Sequence, residues 1–197
     1  MKKHLLILLC TLVACLAPQV SLADSNLFPE GSCEILTQNG LPEGFLFPNK
    51  LDKPWLGGNN EEVLSEEGNN FVRFVNSQQF PYFHSIKINL PIPEGAVNIR
   101  VSGRFRCDFV PAEVQPDWQG YKIHLVFGTM EPTDPLGDLS DALADVPIIS
   151  IQNPMPDWTE KEGSAAVPVG AKVVQVRIML NGFVGQFDFD DIRVEVD

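Results

Sequence analysis

Between Asn98 and Phe109 apolar and polar positions alternate almost without fault. Ile99, Val101, Gly103, Phe105, Cys107 and Phe109 share one phase; Asn98, Arg100, Ser102, Arg104, Arg106 and Asp108 share the other. A period of two over that length predicts a long strand with one buried face. The same pattern returns in Tyr121, Ile123, Leu125 and Phe127, with Lys122 and His124 on the polar side. Ile86, Ile88, Leu90 and Ile92 form a third such run, and Val174, Val176, Ile178 and Leu180 a fourth. Phe71 to Val75 and Val146 to Ile151 read as strands apolar on both faces, Pro147 confining the second to a sheet edge or to a start just after it. Turn residues separate these runs, as in Pro42-Glu43-Gly44, Gly68-Asn69-Asn70 and Asn181-Gly182. The one helix-like stretch is Leu136 to Ala144, started by Asp134-Pro135.

Many short strands without helical crossovers predict an all-β chain, an antiparallel β-sandwich or jelly roll. The last strand carries an anomaly. Phe187 and Phe189 are in one phase and Ile192, Val194 and Val196 in the other, so the pattern slips at Asp190-Asp191. A bulge there keeps both sets inward and turns one aspartate towards the rim. A buried carboxylate needs a cation, a base or several N–H donors. Calcium is one candidate, since it takes oxygen ligands in irregular geometry; solvated or loop-capping aspartates are the other reading.

At the N-terminus, Met1-Lys2-Lys3-His4 precedes an apolar run from Leu5 to Ala17, too short to span a bilayer. With Ser21-Leu22-Ala23 before Asp24, residues 1–23 read as a secretory signal peptide and 24–197 as one β-sandwich domain, secreted or periplasmic. Leu12-Val13-Ala14-Cys15 also fits a lipoprotein box, which would anchor the chain through Cys15. No other run reaches spanning length. Cys33 and Cys107 then remain as a disulfide candidate in an oxidising compartment, or as two buried thiols on neighbouring strands.

The chain of 197 residues has 26 acidic side chains against 14 basic ones and a net charge of −12, which excludes the basic footprint of a nucleic-acid binder. Acid gathers in stretches read as loops, Glu61-Glu62, Glu66-Glu67 and Asp134 to Asp145. Base occupies outward strand positions: Lys87, Arg100, Arg104, Arg106, Lys122 and Arg177, with His124 among them. If those strands lie side by side, one sheet shows a cationic face suited to an acidic glycan; ordinary cross-strand ion pairs are the alternative.

Both ends of the region after Asp24 resemble non-catalytic carbohydrate-binding modules with the galactose-binding-like jelly roll. The opening is Asn26-Leu27-Phe28-Pro29-Glu30-Gly31-Ser32-Cys33-Glu34, then Gly40 to Phe45. The far end matches through Trp158, Val167 to Ala171, Asn181-Gly182 and Phe187 to Val194, a phenylalanine-x-phenylalanine-aspartate-aspartate-isoleucine-x-valine run. Glu30, Cys33 and Phe45 depart from the usual asparagine, phenylalanine and tryptophan, and a disulfide to Cys107 would explain Cys33. The resemblance implies a structural Ca2+ held by Glu34, Asp190 or Asp191, and carbonyls within Ser65 to Asn70, tying the termini together. It makes Trp158 a packing residue at the start of a strand.

Motifs for chemistry are sparse: there is no G-x-S-x-G, H-E-x-x-H or paired CxxC, and after the signal only His84 and His124 remain. Sugar binding needs flat apolar platforms with polar groups beside them. The candidate ligand-binding residues are Trp55, Tyr82, His84 and Trp118 from loops, with Arg104, Arg106, Lys122 and His124 from strands. The expectation is an exported protein that binds a polysaccharide or oligosaccharide and lacks a catalytic role. Two alternatives stay open: an envelope interaction module on the same fold, and a small secreted glycoside hydrolase or polysaccharide lyase.

Overall fold

A computed structural model describes residues 26–46, 61–76, 83–110, 120–181 and 184–197; for Asn76, Phe83, His84 and Asn181 the description covers the backbone. The strands are β1 Glu61–Glu66, β2 Asn69–Asn76, β3 Phe83–Pro91, β4 Asn98–Phe109 and β5 Gly120–Gly128. They continue as β6 Ala144–Ile151, β7 Met155–Ala166, β8 Val173–Asn181 and β9 Gly185–Val196. A five-stranded sheet runs β1-β2-β9-β4-β7 and a four-stranded sheet β3-β8-β5-β6. All pairings are antiparallel.

The alternation in β4 works as its sequence predicts. Ile99, Val101, Phe105, Cys107 and Phe109 are buried between the sheets, and the arginines point outward. Tyr121 of β5 reaches across the sandwich and stacks on Phe187 of β9, ring centroids 4.2 Å apart, and Phe105 lies 5.9 Å from Phe187. Aromatic stacks of this kind fix the inter-sheet spacing while burying large apolar area. Pro147 lies on β6, an edge strand, where no ladder partner needs its missing N–H.

The bulge sits where the phase slips. Asp191 has φ of 51°, and the β4–β9 register shifts between Ser102 and Arg104. Phe187, Phe189, Ile192, Val194 and Val196 are consequently all buried. Two glycines make room for Ile192 at this point. A Cβ on Gly31, in the 3-10 turn Pro29–Ser32, would lie 1.7 Å from the Ile192 carbonyl oxygen, and one on Gly103 would lie 2.5 Å from Ile192 Cδ1. The N-terminal segment therefore packs flush on the last strand. Leu27 N donates to Val194 O at 2.6 Å, and Asn26 bridges Glu195.

Three expectations need correction. Leu136 to Ala144 forms turns rather than a helix, ending in β6. Gly137 closes one turn onto Asp134 O at 2.8 Å, and Leu139 is the stretch's one buried residue, so no apolar helical face exists to pack. Glu61, Glu62 and Glu66 belong to strand β1 rather than to loops. Cys33 and Cys107 are free, buried thiols rather than a disulfide. Each thiol instead faces a main-chain oxygen, Cys33 Sγ 3.9 Å from Gly31 O and Cys107 Sγ 3.8 Å from Asn153 O.

Candidate functional site

The outward positions of the five-stranded sheet assemble a polar and aromatic cluster around Asp188. Asp188 is fully buried although it points away from the core. Arg73 donates to it through Nε and Nη2, each at 2.8 Å, and Arg106 Nε donates at 2.9 Å. The strand register sets this up, because Asp188 lies between Arg73 of β2 and Arg106 of β4. Those hydrogen bonds push the Arg73 guanidinium further up from its usual range.

From Arg106 the network continues outward. Its Nη1 donates to Glu66 Oε2 at 3.0 Å, and Trp158 Nε1 donates to the same oxygen at 3.4 Å. The Trp158 N–H, then Arg106, hold the Glu66 carboxyl below its ordinary range. The guanidinium carbons of Arg106 and Arg104 stand 4.6 and 5.1 Å from the Trp158 ring centroid, and Phe71 meets that ring edge-on at 5.4 Å. Phe71 is itself buried under this layer, with Arg106 and Arg73 over its face. The indole is thereby fixed in orientation while part of its surface stays open.

Two hollows flank Arg104 on this face. One, of about 350 Å³, is lined by Glu66, Glu67, Asn69, Phe71, Arg104 and Trp158. The other, of about 370 Å³, lies over Ser102 and Gly103, with Glu160, Glu162 and Lys161 of β7 on one side and Asp191 and Arg193 of β9 on the other. Arg104 stands 3.8 Å from Asp190 and 3.7 Å from Asp191, too far for a hydrogen bond.

Beside the first hollow, the opening and closing motifs meet. Asp190 is fully buried; Asn69 Nδ2 donates to its Oδ2 at 2.6 Å and the Asp191 N–H to its Oδ1 at 2.7 Å. Burial pushes its carboxyl up, against those two bonds. Glu34 accepts from Asn70 N at 2.8 Å and Asn70 Nδ2 at 3.3 Å. The donor set is one of hard oxygens, which suits calcium rather than a soft metal. Among the described residues no three His, Cys, Asp or Glu side chains gather as a metal cluster, so amide or main-chain oxygens would have to complete any shell. Burial pushes the Cys33 thiol up, with Asp190, Asp191 and Glu34 adding to the rise.

The opposite face is covered in part, over β3 and β8. The segment 129–143 folds over the four-stranded sheet as a strap. Lys87 Nζ donates to Leu136 O at 2.7 Å and to Asp138 at 2.9 Å, and Gln175 Nε2 donates to Gly137 O at 3.1 Å. Arg177 pairs with Asp138 at 3.3 Å, and His124 Nδ1 lies 2.6 Å from Asp145. The expected single cationic face is thus divided: Lys87, Lys122, His124 and Arg177 lie on the four-stranded sheet, Arg100, Arg104 and Arg106 on the five-stranded one.

Of the candidate ligand-binding residues, Arg104 and Arg106 join the cluster, and Lys122 and His124 are on the other side of the sandwich. Trp55, Tyr82 and Trp118 lie outside the described residues, as do residues 1–23 with Cys15; His84 is on β3, its side chain outside the description. Trp158, Phe71, Glu66 and Asp188 were not singled out as site residues from the sequence. The signal that points to Trp158 is the weak alternation of Trp158, Glu160, Glu162 and Ser164 along β7.

No family model and no curated protein matches the chain. Its fold does match solved structures. Family 16 Carbohydrate Binding Module-2 superposes with a TM-score of 0.50 at 11% identity, over 86% of this chain and 99% of that one. Arabinose-bound MgGH51 α-L-arabinofuranosidase gives a TM-score of 0.51 at 12% identity, over 87% of this chain and 26% of the enzyme. At such identities the likeness establishes the fold: an all-β, two-sheet antiparallel sandwich of the carbohydrate-binding-module type.

Proposed function

We propose that this is an exported protein that binds carbohydrate without cutting it, on the outer face of the five-stranded sheet. The observation that carries the reading is the part-exposed Trp158 ring, locked on two arginines beside a hollow of about 350 Å³ with Asn69, Glu66 and Glu67 on its rim. A flat ring suits the C–H face of a sugar, and the surrounding donors and acceptors suit its hydroxyls. The strap over the four-stranded sheet favours this face over the other. The fold shared with a carbohydrate-binding module adds support.

Affinity electrophoresis against a panel of soluble polysaccharides tests the reading. The parent should be retarded by at least one polymer and Trp158→Ala by none, both remaining folded by circular dichroism. Equal retardation of the two proteins would remove this face as the site. Reducing-sugar release from the same panel should stay at background. Trp55→Ala and Trp118→Ala, run alongside, report whether those two rings extend the platform.

The Glu34–Asp190 corner is proposed to accept Ca2+, with Glu34, Asp190 and amide or main-chain oxygens of Asn69 and Asn70 at the start of β2 as ligands. The ion would neutralise a buried carboxylate and tie the N-terminal segment to β9.

A further inference from the structure

The charge arrangement on the open face narrows the ligand class. In the first hollow Arg104 is the one cation against Glu66 and Glu67. In the second, Arg104, Lys161 and Arg193 face Glu160, Glu162 and Asp191. Leaving out Glu66, which is paired with Arg106, and counting Arg104 once, four carboxylates surround three cations, within a chain of net charge −12. The other arginines of this face are already committed. Arg73 and Arg106 hold Asp188 at 2.8 to 2.9 Å, and Arg100 holds Glu195 at 2.8 Å. Arg104 shares its charge between Asp190 and Asp191 yet makes no short bond to either, so its N–H groups remain free to donate to a neutral acceptor.

We infer that this site, taken as the sugar-binding face proposed above, selects uncharged glycans and rejects those bearing carboxylate or sulfate. A hydroxyl both donates and accepts; it can give its proton to Glu67 or Glu162 and take one from Arg104. An anionic sugar has Arg104, Arg193 and Lys161 of the second hollow to grip it, but it meets Glu160, Glu162 and Asp191 there and Glu67 on the other side of Arg104. This differs from the acidic-glycan expectation, which had the basic strands side by side on one sheet. Glu67, in the β1–β2 turn, and Glu160 and Glu162, on the edge strand β7, set the selectivity.

The experiment uses matched polymers that differ in charge alone. Hydroxyethylcellulose and galactomannan are each run beside their carboxylated (C6-oxidised) forms, and methyl-esterified polygalacturonate beside the free acid. In affinity gels, the uncharged member of any pair that binds should hold the protein at least tenfold more tightly. Its binding should change less than twofold between about 20 and 500 mM salt. Glu67→Lys combined with Glu162→Lys, both exposed positions, should narrow the gap between the two members by tenfold or more. Equal or tighter binding of the charged member, lost as salt rises, overturns the inference while leaving the sugar-binding reading intact. Retardation by neither member of any pair sinks the binding reading, and this inference with it.

Discussion

Asp188 illustrates how one side chain can organise a surface without facing it. Its carboxylate has no access to solvent and accepts three guanidinium N–H bonds, so removing it strands the Arg73 charge and leaves Arg106 with Glu66 alone. Breaking a buried pair costs about 3–5 kcal/mol. Both arginines keep some exposure, which lowers the expected loss for Asp188→Ala to about 2–3 kcal/mol, readable by urea unfolding. Asp190 calls for the opposite reasoning. Burial raises its folded-state pKa, so its contribution to stability is present below the ordinary carboxylate range and is lost as pH rises through the raised value. Asp190→Asn imitates the protonated form. With calcium chelated, the variant should melt no lower than the parent at about pH 7, and the gap should close towards about pH 3. A variant that melts well below the parent at neutral pH in chelator would show that the ionised carboxylate holds the corner.

At the scale of elements, legibility in the sequence followed contrast between faces. β4, β5 and β8 pack a full apolar row against the facing sheet, and their alternation was plain. β1 and β7 are edge strands, and their inward positions are small or mixed. A Cβ on Gly163 would lie 2.2 Å from Ile148 O, so the sandwich closes too tightly there for a large side chain to mark the phase. The resemblance assigns Trp158 to packing, and the small inward residues of β7 offer no phase to correct that, while Arg104 and Arg106 are readable from β4. The bulge was readable because the phase slip is itself a sequence feature. The strap 129–143 was missed because polar tethers hold it rather than an apolar face. Those tethers are pH-sensitive. The hydrogen bond from Lys87 depresses the Asp138 carboxyl, so the stability it contributes is present above the ordinary carboxylate range and is lost as pH falls through the depressed value. Amide hydrogen exchange across 129–143 should therefore rise in acid, below about pH 3, ahead of β8 and β5. Asp138→Asn should show faster exchange there already at neutral pH. Exchange that rises together across the strap and the sheet would mean that the tethers are not what holds it.

For the whole molecule, the closure of the chain's ends on each other is the property that the proposed ion would act on. The opening segment is stitched to β9 by Leu27 N and by Asn26 Oδ1, which accepts from Phe28 N and Val194 N at 3.1 Å each. Glu34 then reaches the start of β2 through Asn70, next to Asn69 on Asp190. N–H donors satisfy these carboxylates in the structure, so the fold has an ion-free way to close. A bound cation would add to it by mass action. At free calcium a hundredfold above Kd the gain is about 2.7 kcal/mol, which for a domain of this size is a rise of roughly 5–10 °C in melting temperature. Melting in millimolar calcium against chelator should show that rise in the parent, and Glu34→Gln and Asp190→Asn should each abolish it. Calorimetric titration should give about one ion per chain. If the parent melts at the same temperature in both buffers, the amides of Asn69 and Asn70 are the whole device, and the termini are held by hydrogen bonds and by the packing of Gly31 on Ile192. In that case Gly31→Ala, which drives a methyl group into the Ile192 carbonyl, becomes the substitution that opens the corner.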